Sequence, residues 1–385
     1  MIYYQNIRMV RKMKKKLLIF IDTLKPLIDG VSVFIDNTLP LLIKKYDVTI
    51  IAPRYSNETY QDVKLITFPL YKLINFDYGP AKINRKIIKN EVKKCDIIFS
   101  HESASPLSAS FFALKYAQRY KKPFFTYVHS IDWELFPEAI GIPKFIRKIG
   151  KTILIIFVGW YLRNDNNIVI VSFPTIEKIL RKIRVKGSFE IVPIGITNIF
   201  KPGKNKLSFN DKIVIGYVGR IGKEKSLNVL LNVFIKLRAK YNNLFLLIVG
   251  DGSEKFIFKN IKDVKVTGFI SPQEVAECYR AMDIFVLPSV TEANSLSTLE
   301  ALKSGVCCIT RNIGAIGDYL KDEYNGYFFK DEKELYNILE KLIKDEKLRE
   351  RLGQNAGKSV LEHTWENTVN NLIKVFEKYQ VKNNE

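Results

Sequence analysis

Short apolar runs recur along the first half of the chain at 17–21 (LLIFI), 48–51, 63–68, 97–100 (IIFS), 124–128 (FFTYV), 168–171 and 189–192. They recur in the second half at 213–218 (IVIGYV), 244–249 (LFLLIV), 264–267, 284–287 and 306–310. The runs are rich in Val, Ile, Leu and Phe and lack a clean apolar–polar alternation. That pattern predicts parallel strands covered by helices on both faces. Helical stretches lie between most of them, so the chain is expected to be α/β, with two doubly wound, Rossmann-like sheets. Pro193, Gly195, Pro202 and Gly203 interrupt the pattern and set the boundary. The expected domains are residues 1–195 and 196–365, followed by a last helix that begins near Trp365.

Ligands of open parallel sheets gather beyond the carboxyl ends of the strands. Gly30 and Val31 fall in the loop after the first run, His101 and Glu102 after IIFS, and His129 after FFTYV. In the second half Gly219 and Arg220 follow IVIGYV, Gly250, Asp251 and Gly252 follow LFLLIV, and Glu292 follows IFVLPS. Two such sheets facing each other would collect these residues around one cleft.

The stretch 289–305, SVTEANSLSTLEALKSG, carries the most chemistry. Seven residues separate Glu292, in a strand-to-helix loop, from Glu300, about one turn inside the helix. Asn294, Ser295 and Leu296 offer backbone N–H groups at the helix N-terminus, which favour an anion. Carboxylates beside an anion site suit a ligand with a charged part and a hydroxyl-rich part, such as a nucleotide sugar. The structural alternative makes Ser297 an N-cap with Glu300 three residues on, a capping box, and leaves Glu292 as a solvated loop acid. Gly219-Arg-Ile-Gly-Lys-Glu-Lys225, expected to open the first helix of the second domain, adds a glycine for close backbone approach, an arginine able to grip phosphate oxygens bidentately, and a lysine point charge.

These elements resemble the Glu-x7-Glu and Gly-Arg…Glu-Lys motifs of the retaining glycosyltransferase family 4, which has the GT-B fold. The resemblance covers nearly the whole chain from about residue 15. It implies two Rossmann-like domains facing across a cleft, with the nucleotide sugar on the second and the acceptor on the first. It also implies that the last helix, 366–385, packs back on the first domain. By the same resemblance Glu300 holds the ribose, Glu292 the sugar hydroxyls, and Arg220 and Lys225 the diphosphate. His129 lies by the donor sugar near the reacting carbon, and His101 and Glu102 form an acceptor-side turn. Gly30 lets phosphate and acceptor approach, Gly250 belongs to a glycine-containing donor loop, and Phe269 and Ile270 meet the base. Ser295 departs from the family, which usually has glycine there, and its side chain is expected to crowd the sugar. No Asp-x-Asp motif is present, and two cations stand ready for the diphosphate, so neither a metal nor a further cofactor is expected.

Composition adds a surface to this picture. There are 61 Lys and Arg against 40 Asp and Glu, a net charge of +21. Such an excess points to a polyanionic partner: a membrane surface, nucleic acid or a phosphorylated substrate. Residues 82–94 hold six basic side chains and one acid, and Lys178, Arg181 and Lys182 form a further basic face. Lys144, Arg147, Lys148 and Lys151 share one helical face, with Phe145, Ile149, Ile153 and Ile156 on the other. That is the pattern of a helix lying in a membrane interface, or of a core helix with a solvated basic side. The apolar run at 152–162 has 11 residues, too few for a span.

Four cysteines without a Cys-x-x-Cys pair imply neither a disulfide framework nor a zinc site. Cys95 and Cys307 read as buried thiols. His363 reads as a surface residue. The N-terminus makes a poor signal peptide; residues 1–12 have no evident place in the fold, and Met13 is an alternative start. The expected setting is the cytoplasm, peripheral to the inner face of the cell membrane.

The expected activity is transfer of a hexosyl unit, with retention, from a UDP- or GDP-linked sugar to a glycolipid, lipid-linked saccharide or polysaccharide. Two alternatives stay open: a nucleotide-sugar 2-epimerase of the same fold, and a basic nucleic-acid-binding protein. The second has no RNA-recognition, zinc-finger or helix-turn-helix signature behind it, and no nucleic-acid partner is expected. A Gly-x-Gly-x-x-Gly fingerprint and a Walker A loop are also missing from the sequence.

Overall fold

The structure, a computed structural model, describes residues 14–24, 29–55, 60–71, 81–101, 108–131, 144–164, 166–204, 207, 209 and 211–381. Side chains of residues 144–148 and of Val381 lie outside this description. So do Glu102, Phe145 and residues 1–12, on which sequence expectations fell.

The first sheet is built from β1 (Lys15–Phe20), β2 (Tyr46–Pro53), β3 (Lys64–Phe68), β4 (Ile97–Ser100), β5 (Phe124–Val128), β6 (Asn167–Val171) and β7 (Phe189–Ile191). Its order is β3-β2-β1-β4-β5-β6-β7, with every pair parallel. Helices α1 (Gly30–Lys45), α2 (Arg85–Lys94), α3 (Ala109–Arg119), α4 (Lys144–Leu162) and α5 (Pro174–Lys182) connect its strands. All four residues of β4 and all five of β6 are buried, as expected for strands covered on both faces.

The second sheet contains β8 (Ile213–Val218), β9 (Leu244–Val249), β10 (Val264–Val266), β11 (Ile284–Leu287), β12 (Cys307–Thr310) and β13 (Gly326–Phe328). Its order, β10-β9-β8-β11-β12-β13, is again wholly parallel. The helices of this half are α6 (Leu227–Lys240), α7 (Pro272–Ala281), α8 (Leu296–Lys303), α9 (Ile316–Tyr319), α10 (Glu332–Lys344) and α11 (Glu346–Ser359). In each sheet the order reverses at one point, between β1 and β4 and between β8 and β11, which opens a crevice at the carboxyl ends.

The last helix, α12 (Trp365–Val381), lies on the first sheet's side of the molecule. Phe376 packs its ring 4.8 Å from Phe125 and 5.1 Å from Phe99, while Glu377 pairs with Lys45 at 2.6 Å. The chain approaches it closely from the interlobe segment: a Cβ on Gly195 would lie 2.6 Å from the Trp365 nitrogen.

Three expectations are corrected. Sequence pattern overlooked β13, whose opening residue, Gly326, adds no side chain to a short apolar run. Gly30 and Val31 are not in a loop but open α1, because Asp29 caps that helix through Val31 N (3.0 Å) and Ser32 N (2.8 Å). His363 is not a surface residue: its Nδ1 lies 3.0 Å from the Ile194 carbonyl and its ring stacks 5.7 Å from Phe173. Burial lowers its pKa. The four cysteines are free and buried, and no described helix is long and apolar enough to cross a membrane.

Candidate active site

The second lobe supplies most of the polar groups. At the end of β8 the backbone turns through Gly219, whose φ is +146°, and a Cβ on Gly250 would collide with the Gly219 carbonyl. The two loops after β8 and β9 are therefore held backbone to backbone, a contact only glycine permits. Tyr217, buried, donates from its hydroxyl to the Arg220 carbonyl at 2.7 Å. The Arg220 side chain reaches out and donates through Nη2 to Glu224 Oε1 at 2.6 Å. Lys225 is more enclosed and donates to Glu292 Oε1 at 2.6 Å, with side-chain exposures of 17% and 11%. The loops after β8 and β11 are thus joined by an ion pair shielded from water. Both cations are already partnered by carboxylates.

The expected helical start at Gly219–Lys225 is corrected in detail. Lys223–Lys225 form a 3-10 turn, Ser226 takes a left-handed conformation at φ +49°, and α6 begins only at Leu227. Lys225 sits on this turn and Arg220 in the loop before it, neither on the helix itself.

The loop after β11 carries Glu292 into α8. Its course depends on Gly314, where a Cβ would collide with the Glu292 carbonyl. Ser295, not Ser297, is the N-cap of α8: its hydroxyl accepts from Thr298 N at 3.2 Å. Glu300 is therefore not the third residue of a capping box. It accepts a hydrogen bond from Tyr279 Oη at 3.1 Å. Burial pushes its pKa up to about 8, while the Tyr279 hydroxyl acts the other way. The serine expected to crowd a sugar is 3% exposed and spends its hydroxyl on the cap. Its amide donates to Tyr319 Oη at 3.3 Å, so the anticipated trio of free amides is reduced. Asn294 Oδ1 is buried without a partner among the described residues, an unmet acceptor beside this turn.

Tyrosines connect these acids. Burial pushes the Tyr217 hydroxyl well above its ordinary pKa, and Glu292 and Glu224 add to the effect. Tyr279 is raised by burial, by Glu300 and, weakly, by Tyr217. Tyr217, Tyr279, Tyr319 and Glu224 escaped sequence reasoning. Glu224 was part of the Gly-Arg…Glu-Lys motif but was given no role, and the tyrosines sit in apolar contexts that read as core.

The first lobe meets this group at α1. A Cβ on Gly30 would lie 3.9 Å from Leu296 Cδ1, so the N-terminal ends of α1 and α8 face each other across the lobes. Below, His101 follows β4 and His129 follows β5, with His101 Nδ1 2.7 Å from His129 Nε2. Burial lowers the pKa of both rings. In the second lobe Phe269 is 82% exposed, next to Ile270 and to the bridge between Gly250 and Gly268. The structure thus gathers Arg220, Lys225, Glu292, Asn294, Ser295, Leu296 and Glu300 on one side and brings Gly30 against them, while Glu102 lies outside the described residues. A separate cavity of about 880 Å³ lies beyond β12 and β13 among Arg311, Asn312, Tyr327, Lys330 and Asn337 and includes none of the expected residues.

Two wholly parallel Rossmann-like sheets, paired across a crevice at their carboxyl ends, define the GT-B class of glycosyltransferases. Residues 28–197 match the model described as Glycosyltransferase Family 4, and residues 200–359 match Glycosyl transferases group 1. The chain belongs to glycosyltransferase family 4.

Among its relatives is the alpha-monoglucosyldiacylglycerol synthase of Acholeplasma laidlawii, 25% identical over 88% of this chain and 90% of that protein. Sucrose-phosphate synthase from Thermosynechococcus elongatus shares the fold at a TM-score of 0.77, with 17% identity over 96% of this chain and 100% of that one. Anabaena HepE, solved in complex with UDP and glucose, shares it at 0.73, with 13% identity over 94% and 99% of the two chains.

Proposed function

We propose that the protein moves a hexosyl unit, with retention, from a UDP- or GDP-linked sugar to a glycolipid, lipid-linked saccharide or polysaccharide acceptor. The observation that carries this reading is the meeting of Gly30 and Leu296 beside the Lys225–Glu292 pair. The amides that open α8 and two basic side chains there favour a diphosphate, the first α1 amides being held by the Asp29 carboxylate, and acids on the same loop suit hydroxyls. The A. laidlawii relative is named for a glycolipid product, which supports a lipid-type acceptor.

In this reading Arg220 and Lys225 exchange part of their pairing with Glu224 and Glu292 for the diphosphate, and so stabilise its departure without a metal. Glu292, released from Lys225, receives sugar hydroxyls, and Glu300 the ribose. Phe269 and Ile270 flank the base and Gly250 leaves room for the nucleotide. His129 supports the sugar from the first lobe, with His101 and Glu102 toward the acceptor. The bond from the anomeric carbon to the β-phosphate oxygen breaks on the face where the acceptor oxygen bonds, and the acceptor proton passes to the departing phosphate.

The acceptor-side lobe also carries a surface suited to lipid. On α4, Ile149, Ile153, Ile156 and Trp160 are 58%, 61%, 66% and 54% exposed, while Val158, Tyr161 and Leu162 face the core. An apolar row exposed on a strongly basic chain fits an anionic membrane surface, which would place the enzyme peripherally on the inner face of the cell membrane.

Nucleotide release from UDP- and GDP-sugars, in a chelator and with membrane lipid as acceptor, tests the transferase. Release that depends on the acceptor is expected, with the radiolabelled sugar found in lipid or polysaccharide. Turnover equally fast without acceptor would mean an epimerase, and none with any donor would remove the reading.

A further inference from the structure

β4 and β5 are parallel neighbours in register, Ser100 opposite Thr126. That register brings the residues just past their ends together: His101 Nδ1 lies 2.7 Å from His129 Nε2. His101 is 3% exposed and walled by the rings of Phe99, Phe34 and Tyr127, at 4.2, 5.0 and 6.0 Å. Its other nitrogen, Nε2, is buried with no hydrogen-bond partner among the described residues. His129 is only half-buried.

A contact of this length between two ring nitrogens holds one proton. If His129 Nε2 carried it, a neutral His101 would have to bear its own proton on Nε2, an N–H buried among aromatic rings with nothing to receive it. Orphaned buried donors are rarer than bare acceptors. If His101 Nδ1 carries the proton, its Nε2 is a bare lone pair, and His129 Nε2 is an acceptor. A neutral His129 then keeps its proton on Nδ1. A doubly protonated ring at either position is opposed by burial and, at His101, by the neighbouring imidazole as well.

We propose that His101 is a positioning residue that fixes His129 as its Nδ1–H tautomer, so that His129 meets the donor sugar as a hydrogen-bond donor and not as a base. The assignment of His129 to the donor sugar rests on the transferase reading; the tautomer itself does not. The acceptor's proton then has to leave by way of the departing diphosphate.

The chain has three histidines, so imidazole ¹⁵N spectra of the ligand-free protein resolve each ring. Between pH 6 and 8, His101 and His129 are both expected to be neutral and to carry hydrogen on Nδ1. His101→Asn keeps an N–H near the Nδ1 position and is expected to retain the His129 signature and to turn over faster than His101→Leu. His101→Leu releases His129 to the Nε2–H form. It is expected to lower kcat about tenfold or more, the effect of misplacing one transition-state hydrogen bond, with the donor's KM within about twofold. A wild-type His129 protonated on Nε2 overturns the proposal whether or not the variants fold. So does an unchanged His129 tautomer in His101→Leu. The expected spectra without any donor turnover would leave the tautomer standing and remove the transferase.

Discussion

Glu300 shows how burial and function oppose each other at one side chain. A glutamate in the unfolded chain ionises near 4.5, whereas in the fold its carboxyl keeps the proton up to about 8. Between these values the folded state binds more protons than the unfolded one, so this group's contribution to stability falls as pH rises. Glu300→Gln keeps an acceptor for Tyr279 and removes the ionisation. Its Tm is expected to exceed that of the wild type at pH 8, with the gap closing toward pH 5, while the proposed role of Glu300 at the ribose predicts weaker donor binding. Identical melting at pH 8 would mean the carboxyl is not shielded. The residue types of this site were legible in the sequence, since Glu292, Arg220 and Lys225 are unusual at strand ends. Their partners were not. Glu224 stood in the motif with no partner to be read from spacing, and Ser295 took the cap assigned to Ser297 because its buried hydroxyl reaches Thr298 in three dimensions.

Among the elements, α4 departs furthest from what a buried fold requires. Its helical spacing was plain in the sequence, but which face would be covered was not, because basic and apolar residues share the helix. The structure buries Val158, Tyr161 and Leu162 and leaves the Ile149–Trp160 row exposed. Moving such an isoleucine from water into an apolar layer is worth about 1.5–3 kcal/mol. Liposome flotation with anionic lipid is expected to carry the wild-type protein, less so at high salt. Replacing Ile153 and Trp160 together by serine is expected to abolish flotation and leave Tm nearly unchanged, since both are exposed. A double variant that floats as well as the wild type would remove the membrane-facing role. Strands were the most legible elements, because a buried parallel strand is a dense apolar run. β13 escaped as a three-residue strand whose Gly326 contributes no side chain to the pattern.

At the scale of the molecule, the two lobes are tied by contacts that no periodicity predicts. α5 has no side-chain cap of its own; Asp318 of the other lobe accepts from Thr175 N at 3.0 Å and from its hydroxyl at 2.8 Å. Phe173 packs 5.1 Å from Tyr319, whose hydroxyl receives the Ser295 amide at the start of α8. Lys303 donates to the Ile196 carbonyl at 2.9 Å, under the segment that links the lobes. Relative lobe position is therefore coupled to the turn that carries the acids, and it sets how near Gly30 stands to Leu296. Two sheets could be read from the chain, but their facing could not, because it depends on single polar contacts between distant positions.

The central claim is that a nucleoside diphosphate sugar binds between these lobes, its charge met by side chains and helix ends. Calorimetric titration of UDP-glucose and GDP-mannose, in a chelator, into the wild-type protein and into Arg220→Ala tests it most directly. Arg220 is exposed and leaves only Glu224 behind, so the variant is expected to fold. One of the two donors should bind the wild type without metal. The variant should bind it about 10- to 100-fold more weakly, the worth of a charge-assisted hydrogen bond or two. Equal affinity in the two proteins, or binding that appears only when a divalent cation is restored, would contradict the account.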